Sequence, residues 1–220
     1  MEKLGEGCSA EVYKCEHSIL KQMRAVKIMR AEDDEYTEIA KQEFALLRPL
    51  NHPNVVKVFD CIHDEQKRSL YLIMEFIQGQ TLEDFVLKAS SSNKPLPEDV
   101  ILTILKQLLK AVAYLHENGV CHRDLKPDNI MINPKTHHIK LTDFNISRKF
   151  LDDQKNRKKM RTMTGLDMWS APETRQGIEY NENVDLWGVG VICYYMVMMF
   201  PPFNDSDEMK LIDKVQKCEF

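Results

Sequence analysis

The residues best equipped for chemistry lie in one short part of the chain. His122-Arg123-Asp124-Leu125-Lys126-Pro127-Asp128-Asn129 is followed closely by Asp143-Phe144-Asn145. Together these stretches hold three carboxylates (Asp124, Asp128, Asp143), one ammonium group (Lys126) and two amides (Asn129, Asn145). Carboxylate and amide oxygens are the hard ligands that Mg2+ selects. A carboxylate left outside such a coordination shell can take the proton of a hydroxyl. Cation binding and hydroxyl activation are the two tasks this set of groups suits.

Such groups act only if something rigid holds them. Upstream, Ile101, Ile104, Leu105, Leu108, Val112 and Leu115 recur at helical spacing. Pro97 is placed to be the first residue of that helix, and Gly119 to close it. Downstream, Asn129-Ile130-Met131-Ile132, a turn at Asn133-Pro134 and Ile139-Lys140-Leu141-Thr142 read as a short hairpin. The polar groups therefore sit on a loop between a helix and a hairpin.

His122 to Asn129 resembles the protein-kinase catalytic loop H-R-D-x-x-x-x-N. Lys126, two residues after the aspartate, resembles the serine/threonine branch of that family. Leu4-Gly5-Glu6-Gly7-Cys8-Ser9-Ala10-Glu11-Val12 is similar to the family's glycine-rich loop, with Ala10 in place of the third glycine. Glycines let the backbone approach a phosphate closely. A dinucleotide-binding fingerprint would need a helix here, whereas Val12-Tyr13-Lys14-Cys15 reads as strand. Ala25-Val26-Lys27 resembles the Ala-x-Lys of the family's third strand. Tyr36, Ile39, Ala40, Glu43, Leu47 and Leu50 share one helical face, so Glu43 points inward and needs a cation. Lys27 is the expected partner. Pro49 forces Arg48 out of helical geometry and ends that helix.

Leu70 to Ile77 is a continuous apolar run ending at Gly79, similar to the family's fifth strand and hinge. That likeness makes Met74 the gatekeeper and sets the Glu75–Ile77 backbone against adenine. The basic run from Arg148 to Arg161 is similar to the activation loop, which Ala171-Pro172-Glu173 would close. Within it Thr162 is the candidate regulatory phosphosite, with Arg123 as the phosphate binder.

The resemblance implies an α+β, bilobal, protein-kinase-like fold. A small antiparallel β lobe with its hinge would span 1–79, and a mainly helical lobe 80–220, incomplete because the chain is expected to be truncated at its C-terminal end. The implied reaction is transfer of the γ-phosphoryl group of ATP, with Mg2+, to Ser or Thr hydroxyls of a protein substrate. Asp124, Lys126, Lys27 and Glu43 form the implied catalytic set. Leu4, Gly5, Gly7, Val12, Ala25, Lys27, Met74, Glu75 and Ile77 would bind ATP, and Asn129 and Asp143 the metal. Motif spacing is most like the calmodulin-dependent kinase-like group, and an upstream activating kinase is an implied partner in signalling. The chain departs from the pattern at Asn145 (for Gly) and Leu166 (for Thr), which keeps a pseudokinase-like nucleotide-binding scaffold open as the alternative. Thr81 and Tyr195 stand where basophilic kinases carry glutamates, so only a weak preference for upstream arginine is expected. Glu173 is expected to lack its usual arginine.

Composition narrows the other classes. A net charge of −4 implies no strong attraction to nucleic acid or membrane. Leu186 to Phe203 carries no charge, but Pro201 and Pro202 limit its helix to about 15 residues, about 22 Å, short of a roughly 30 Å bilayer core. A buried central helix opened by Asp185 is expected instead. Six scattered cysteines with no Cys-x-x-Cys, and no signal peptide at the start, read as reduced thiols in an intracellular, cytoplasmic setting.

Overall fold

The computed structural model describes residues 2–6, 10–30, 34–144, 146–151, 156–160, 168–175 and 179–219, with backbone only at 34–40, 175 and 208. Gly7, Asn145, Thr162 and Leu166 lie outside the described residues, as do the side chains of Tyr36, Ile39 and Ala40. Contacts divide the chain into two units, Met1–Gln78 and Gly79–Phe220.

The first unit is an antiparallel sheet of β1 (Glu2–Glu6), β2 (Ala10–Glu16), β3 (Met23–Arg30), β4 (Val58–Asp64) and β5 (Ser69–Glu75), in the order β1-β2-β3-β5-β4. Leu70 and Leu72 of β5, with Ala25, Val26 and Met29 of β3, are buried. Leu4 and Gly5 lie in the exposed edge strand β1 rather than in a loop, paired with β2 across an irregularity between Lys3 and Gly5. Helix α1 (Asp34–Leu47) stops just before Arg48 and Pro49, as the proline ring requires. The apolar run of β5 ends sooner than expected, at Glu75 and not at Ile77. Its pairing with β3 gives out at Arg24–Glu75. Glu75 then turns to Lys57, donating its N–H to the Lys57 carbonyl at 2.9 Å and accepting the Lys57 N–H on its carboxylate at 2.7 Å.

The second unit begins with β6 (Gln80–Thr81) and α2 (Leu82–Ser91), which Thr81 caps by accepting the Asp84 N–H at 3.0 Å. Helix α3 (Glu98–Glu117) buries Ile101, Ile104, Leu108, Val112 and Leu115 along its stripe, with Leu105 half-buried at the margin. Pro97 stands one residue outside the helix, in extended conformation, instead of at its first position. Gly119 adopts φ +72° just past the helix end, the left-handed turn that favours glycine. There follow β7 (Val120–Cys121), a tight turn at Pro127–Asn129, β8 (Ile130–Ile132), β9 (Ile139–Leu141), β10 (Arg148–Lys149), α4 (Pro172–Arg175), α5 (Val184–Met198) and α6 (Glu208–Lys217). β6, β8 and β9 form one small sheet, and β7 and β10 another.

Helix α5 packs on α3 and presses its backbone against Leu125. A Cβ on Gly188 would come within 2.8 Å of the Leu125 side chain. The helix is not buried all round as expected. Ile192, Tyr195 and Met196 are buried, but Leu186, Val197 and Met198 face solvent among the described residues. No helix among the described residues is long and apolar enough to cross a membrane. A β-sheet unit followed by a mainly helical one is the α+β architecture expected.

Candidate active site

The turn at Pro127–Asn129 folds the chain back so that Asn129 reaches Asp124. Asn129 Nδ2 donates to the backbone carbonyl and to Oδ2 of Asp124, each at 2.8 Å. Both partners accept, so both amide hydrogens are committed and the amide oxygen is turned the other way. Lys126 Nζ lies 3.1 Å from the same Asp124 Oδ2. The Asn129 carbonyl accepts from the Thr142 N–H at 2.9 Å and the Thr142 hydroxyl at 3.1 Å. That ties the residue before Asp143 to the turn carrying Asn129. Asp143 is half-buried.

Arg123 and Asp143 both take left-handed backbone, with φ of +72° and +58°. Each such residue costs about 1–3 kcal/mol and persists only where neighbours hold it. His122, wholly buried, bridges the two places. Its Nδ1 accepts the Asp124 N–H at 3.3 Å and its Nε2 faces the Thr142 carbonyl at 3.1 Å, so the hydrogen sits on Nε2. Its ring lies 4.5 Å from that of buried Phe144, and its own carbonyl accepts from the Ser147 hydroxyl at 2.9 Å.

Beneath these residues sits Asp185, only 1% exposed, in the first turn of α5. Its Oδ2 accepts from His116 Nε2 at 2.8 Å and the His122 N–H at 2.9 Å, and its Oδ1 from the Arg123 N–H at 2.8 Å. Burial alone would raise the Asp185 pKa, but these donors outweigh it and hold the carboxyl below the usual carboxylate range. His116, Cys121 and Asp185 bring ligand-type atoms within 4.8 Å of one another. Burial pushes the Cys121 thiol up, and that thiol adds a further hydrogen bond to Asp185. With its lone pairs met by donors, Asp185 serves as a clamp joining α3, the stretch beginning at His122 and α5, not as a metal ligand.

Residues 1–219 match the family described as Protein kinase domain. The chain belongs to the protein kinase domain family. It is 32% identical over 220 residues to Calcium-dependent protein kinase 5 of Plasmodium falciparum (isolate 3D7), an alignment covering 99% of this chain and 37% of that protein. It is also 32% identical over 221 residues to Calcium/calmodulin-dependent protein kinase type IV of Homo sapiens, covering 99% of this chain and 44% of that protein. The chain thus spans about two fifths of the length of the curated relatives it matches. Their group is the calmodulin-dependent kinase-like one that the motif spacing resembles.

In the first unit of this kinase domain, Lys27 Nζ lies 3.5 Å from Glu43 Oε2, with both side chains nearly buried. Val12 pairs with Lys27 across β2 and β3, and Ala25 with half-buried Met74 across β3 and β5. Leu4, Gly5 and Ile77 lie outside that central patch, on the edge strand and beyond the end of β5. In the second unit Asp124, Lys126 and Asn129 come together, and Thr142 ties the segment carrying Asp143 to Asn129. Arg123 is 6% exposed, its guanidinium 5.6 Å from the Tyr180 ring; Thr162, its expected partner when phosphorylated, is not among the described residues. From the basic run, Arg157 pairs with buried Glu182 at 2.9 Å, and Met160 exchanges backbone hydrogen bonds with Tyr180 at 2.9 and 2.8 Å. Glu173 is half-buried at the start of α4. Sequence reasoning missed the clamp role of Asp185 and His116. The available signal was a lone carboxylate heading an apolar helix, which must find donors once buried.

Proposed function

We propose that the chain is an ATP-dependent protein serine/threonine kinase in which Asp124 orients and receives the proton of the acceptor hydroxyl. The observation that carries this reading is the shared anchoring of one Asp124 oxygen by Asn129 and Lys126. A carboxylate fixed by two donors has a defined direction, which proton transfer from a positioned hydroxyl requires. Lys126 Nζ, beside that carboxylate, would meet the negative charge of the transferring phosphoryl group. The residues present fit Mg2+. The Asn129 oxygen is turned away from Asp124 by its amide hydrogens, and Asp143 adds a carboxylate on the segment tied to Asn129. Once bound, Mg2+ would neutralise charge on the phosphates.

Lys27, oriented by Glu43, would hold the α- and β-phosphates. Leu4, Gly5, Gly7, Val12, Ala25, Met74 and the Glu75–Ile77 backbone are assigned to the nucleotide, which makes 1–79 the nucleotide lobe with its hinge and 80–220 the lobe for protein substrate. The clamp on Asp185 supports the backbone of His122 and Arg123, so it positions Asp124 without touching a reactant. Transfer of labelled γ-phosphate to a mixed Ser/Thr peptide pool tests the reading. Asp124→Asn should lower transfer by about 10²-fold or more while Mg-ATP still binds. Equal transfer by the two proteins would overturn it.

A further inference from the structure

One ion pair of the second unit has no part in phosphoryl transfer as derived so far. Glu182, just ahead of α5, is 6% exposed. An acid buried this deeply needs a cation. Among the described residues Arg157 supplies it at 2.9 Å, from the basic run and with its own side chain 75% exposed. The pair thus has one end in the fold and the other in a surface stretch. Backbone bonds fasten the same stretch on both sides. The Lys158 N–H donates to the Phe150 carbonyl at 2.6 Å, and Met160 and Tyr180 exchange two bonds at 2.9 and 2.8 Å. Met160 is buried with Phe150, Cys121, Ala171, Tyr180 and Val184. The neighbouring pair Lys159–Glu179 is exposed at both ends and adds little. What the stretch reaches is Arg123, one residue from Asp124. The Arg123 guanidinium lies 5.6 Å from the Tyr180 ring and donates to its hydroxyl. Residues 180–182 are therefore held from two directions, Tyr180 by Arg123 and Glu182 by Arg157. Ala171, in the same cluster, follows Trp169 and Ser170, which line a small recess together with Arg123 and Asp124. Any shift of residues 156–160 is passed through Met160 and Ala171 to the wall of that recess.

We propose that Glu182 is a positioning residue: by holding Arg157 it docks the 156–160 stretch on the substrate side of the site with no phosphate on the chain. This rests on the kinase reading above and adds how that site is regulated, since transfer then does not wait on phosphorylation of Thr162. The reasoning is one of charge. A phosphate orders a loop by giving nearby cations an anion to gather around. Here a carboxylate of the fold is that anion, and Arg157 is the cation it gathers. Arg123, the cation beside Asp124, is already engaged by Tyr180. Unlike a phosphate, Glu182 is a permanent part of the chain. Its carboxylate grips the stretch from below while Tyr180 pairs with its backbone, so the two contacts fix both the place and the direction of residues 156–160. Glu182 touches no reactant and acts only through Arg157.

The test uses wild type made in eukaryotic cells, where regulatory kinases are present, and Thr162→Ala, which cannot be phosphorylated at that position. Thr162→Ala should keep kcat/KM for a serine peptide within about twofold of wild type. Glu182→Gln and Arg157→Gln should each raise KM for the peptide about tenfold while KM for ATP stays within about twofold, a split that general loss of stability would not give. The double variant should be no worse than either single one, because both act through one pair. Arg157→Gln, at an exposed position, keeps the test open should Glu182→Gln fail to fold. Hydrogen exchange gives a readout that does not depend on transfer. The Lys158 and Met160 N–H groups should be protected in Thr162→Ala and exchange about tenfold faster in the two pair variants, with the amides of α3 unchanged as the control. A loss of about tenfold or more in Thr162→Ala, or peptide KM and exchange unmoved by both pair substitutions, would overturn the proposal. Should exchange respond as expected while no protein, wild type included, phosphorylates any peptide, the docking stands and the kinase reading falls.

Discussion

Asp185 and Glu83 are two carboxylates of the same unit, both withdrawn from water, and their surroundings are opposite. Asp185 meets the N–H groups of His122 and Arg123, the His116 ring and the Cys121 thiol. Glu83 has the neutral Tyr195 hydroxyl as a donor and another carboxylate, Asp128, nearby. Burial pushes both pKa values up; donors reverse the shift at Asp185, whereas at Glu83 the Tyr195 hydroxyl opposes it without reversing it and the like charge of Asp128 reinforces it. A buried charge that is fully met holds structure together. One met by a neutral hydroxyl beside a like charge is held at a cost in stability.

The strongest way to break this contrast is Asp185→Asn. The new amide would set its own hydrogens against donors, and loss of a buried charge from a hydrogen-bonded network typically costs about 3–5 kcal/mol, a large share of a domain's stability. Chemical denaturation should show that loss near pH 7. Because the folded pKa of Asp185 is depressed, its contribution is fully present above the unfolded value and vanishes as pH falls through the folded one. The gap between wild type and variant should therefore narrow below about pH 4. A constant gap would assign the effect to packing instead. Next in size is Lys27→Met, which leaves Glu43 buried without that cation. A pair at 3.5 Å has looser geometry than the Asp185 clamp, so its melting temperature should fall less, while KM for ATP rises and transfer drops severely. Unchanged KM would detach Lys27 from the nucleotide.

The smallest effect has the opposite sign. Glu83→Gln removes a charge that the fold disfavours, so it should raise Tm slightly at pH 7. The folded pKa of this acid lies above its unfolded value, so the cost is absent below the unfolded pKa and grows as pH rises towards the folded one. The gain should thus disappear below about pH 4. A Tm that falls at pH 7 would mean that the Tyr195 hydroxyl outweighs the cost of burial at Glu83.

What could be read from the sequence follows the distance between partners along the chain. The Asp124, Lys126 and Asn129 cluster lies within one turn and is visible as a motif. Lys27 and Glu43 are linked by one strand and one helix; helical spacing turned Glu43 inward, and the family resemblance named Lys27 as its partner. Asp185 finds His116 and His122 across long loops, and Glu83 finds Tyr195 from the other end of the unit. No local periodicity encodes either meeting. The end of β5 at Glu75 was hidden because an apolar run does not say where its partner strand stops. The left-handed backbone at Arg123 and Asp143 was hidden because neither residue is glycine. It exists only because His122 and Asp185 hold the chain there, which is a property of the assembled site.

Mg2+-dependent transfer of γ-phosphate by wild type and by Asp143→Asn, side by side with Mg-ATP binding, tests the central claim most directly. Wild type should phosphorylate serine and threonine peptides, and Asp143→Asn should fall to background with its fold intact by circular dichroism. Wild type that binds Mg-ATP yet transfers no more phosphate than Asp143→Asn would contradict the account.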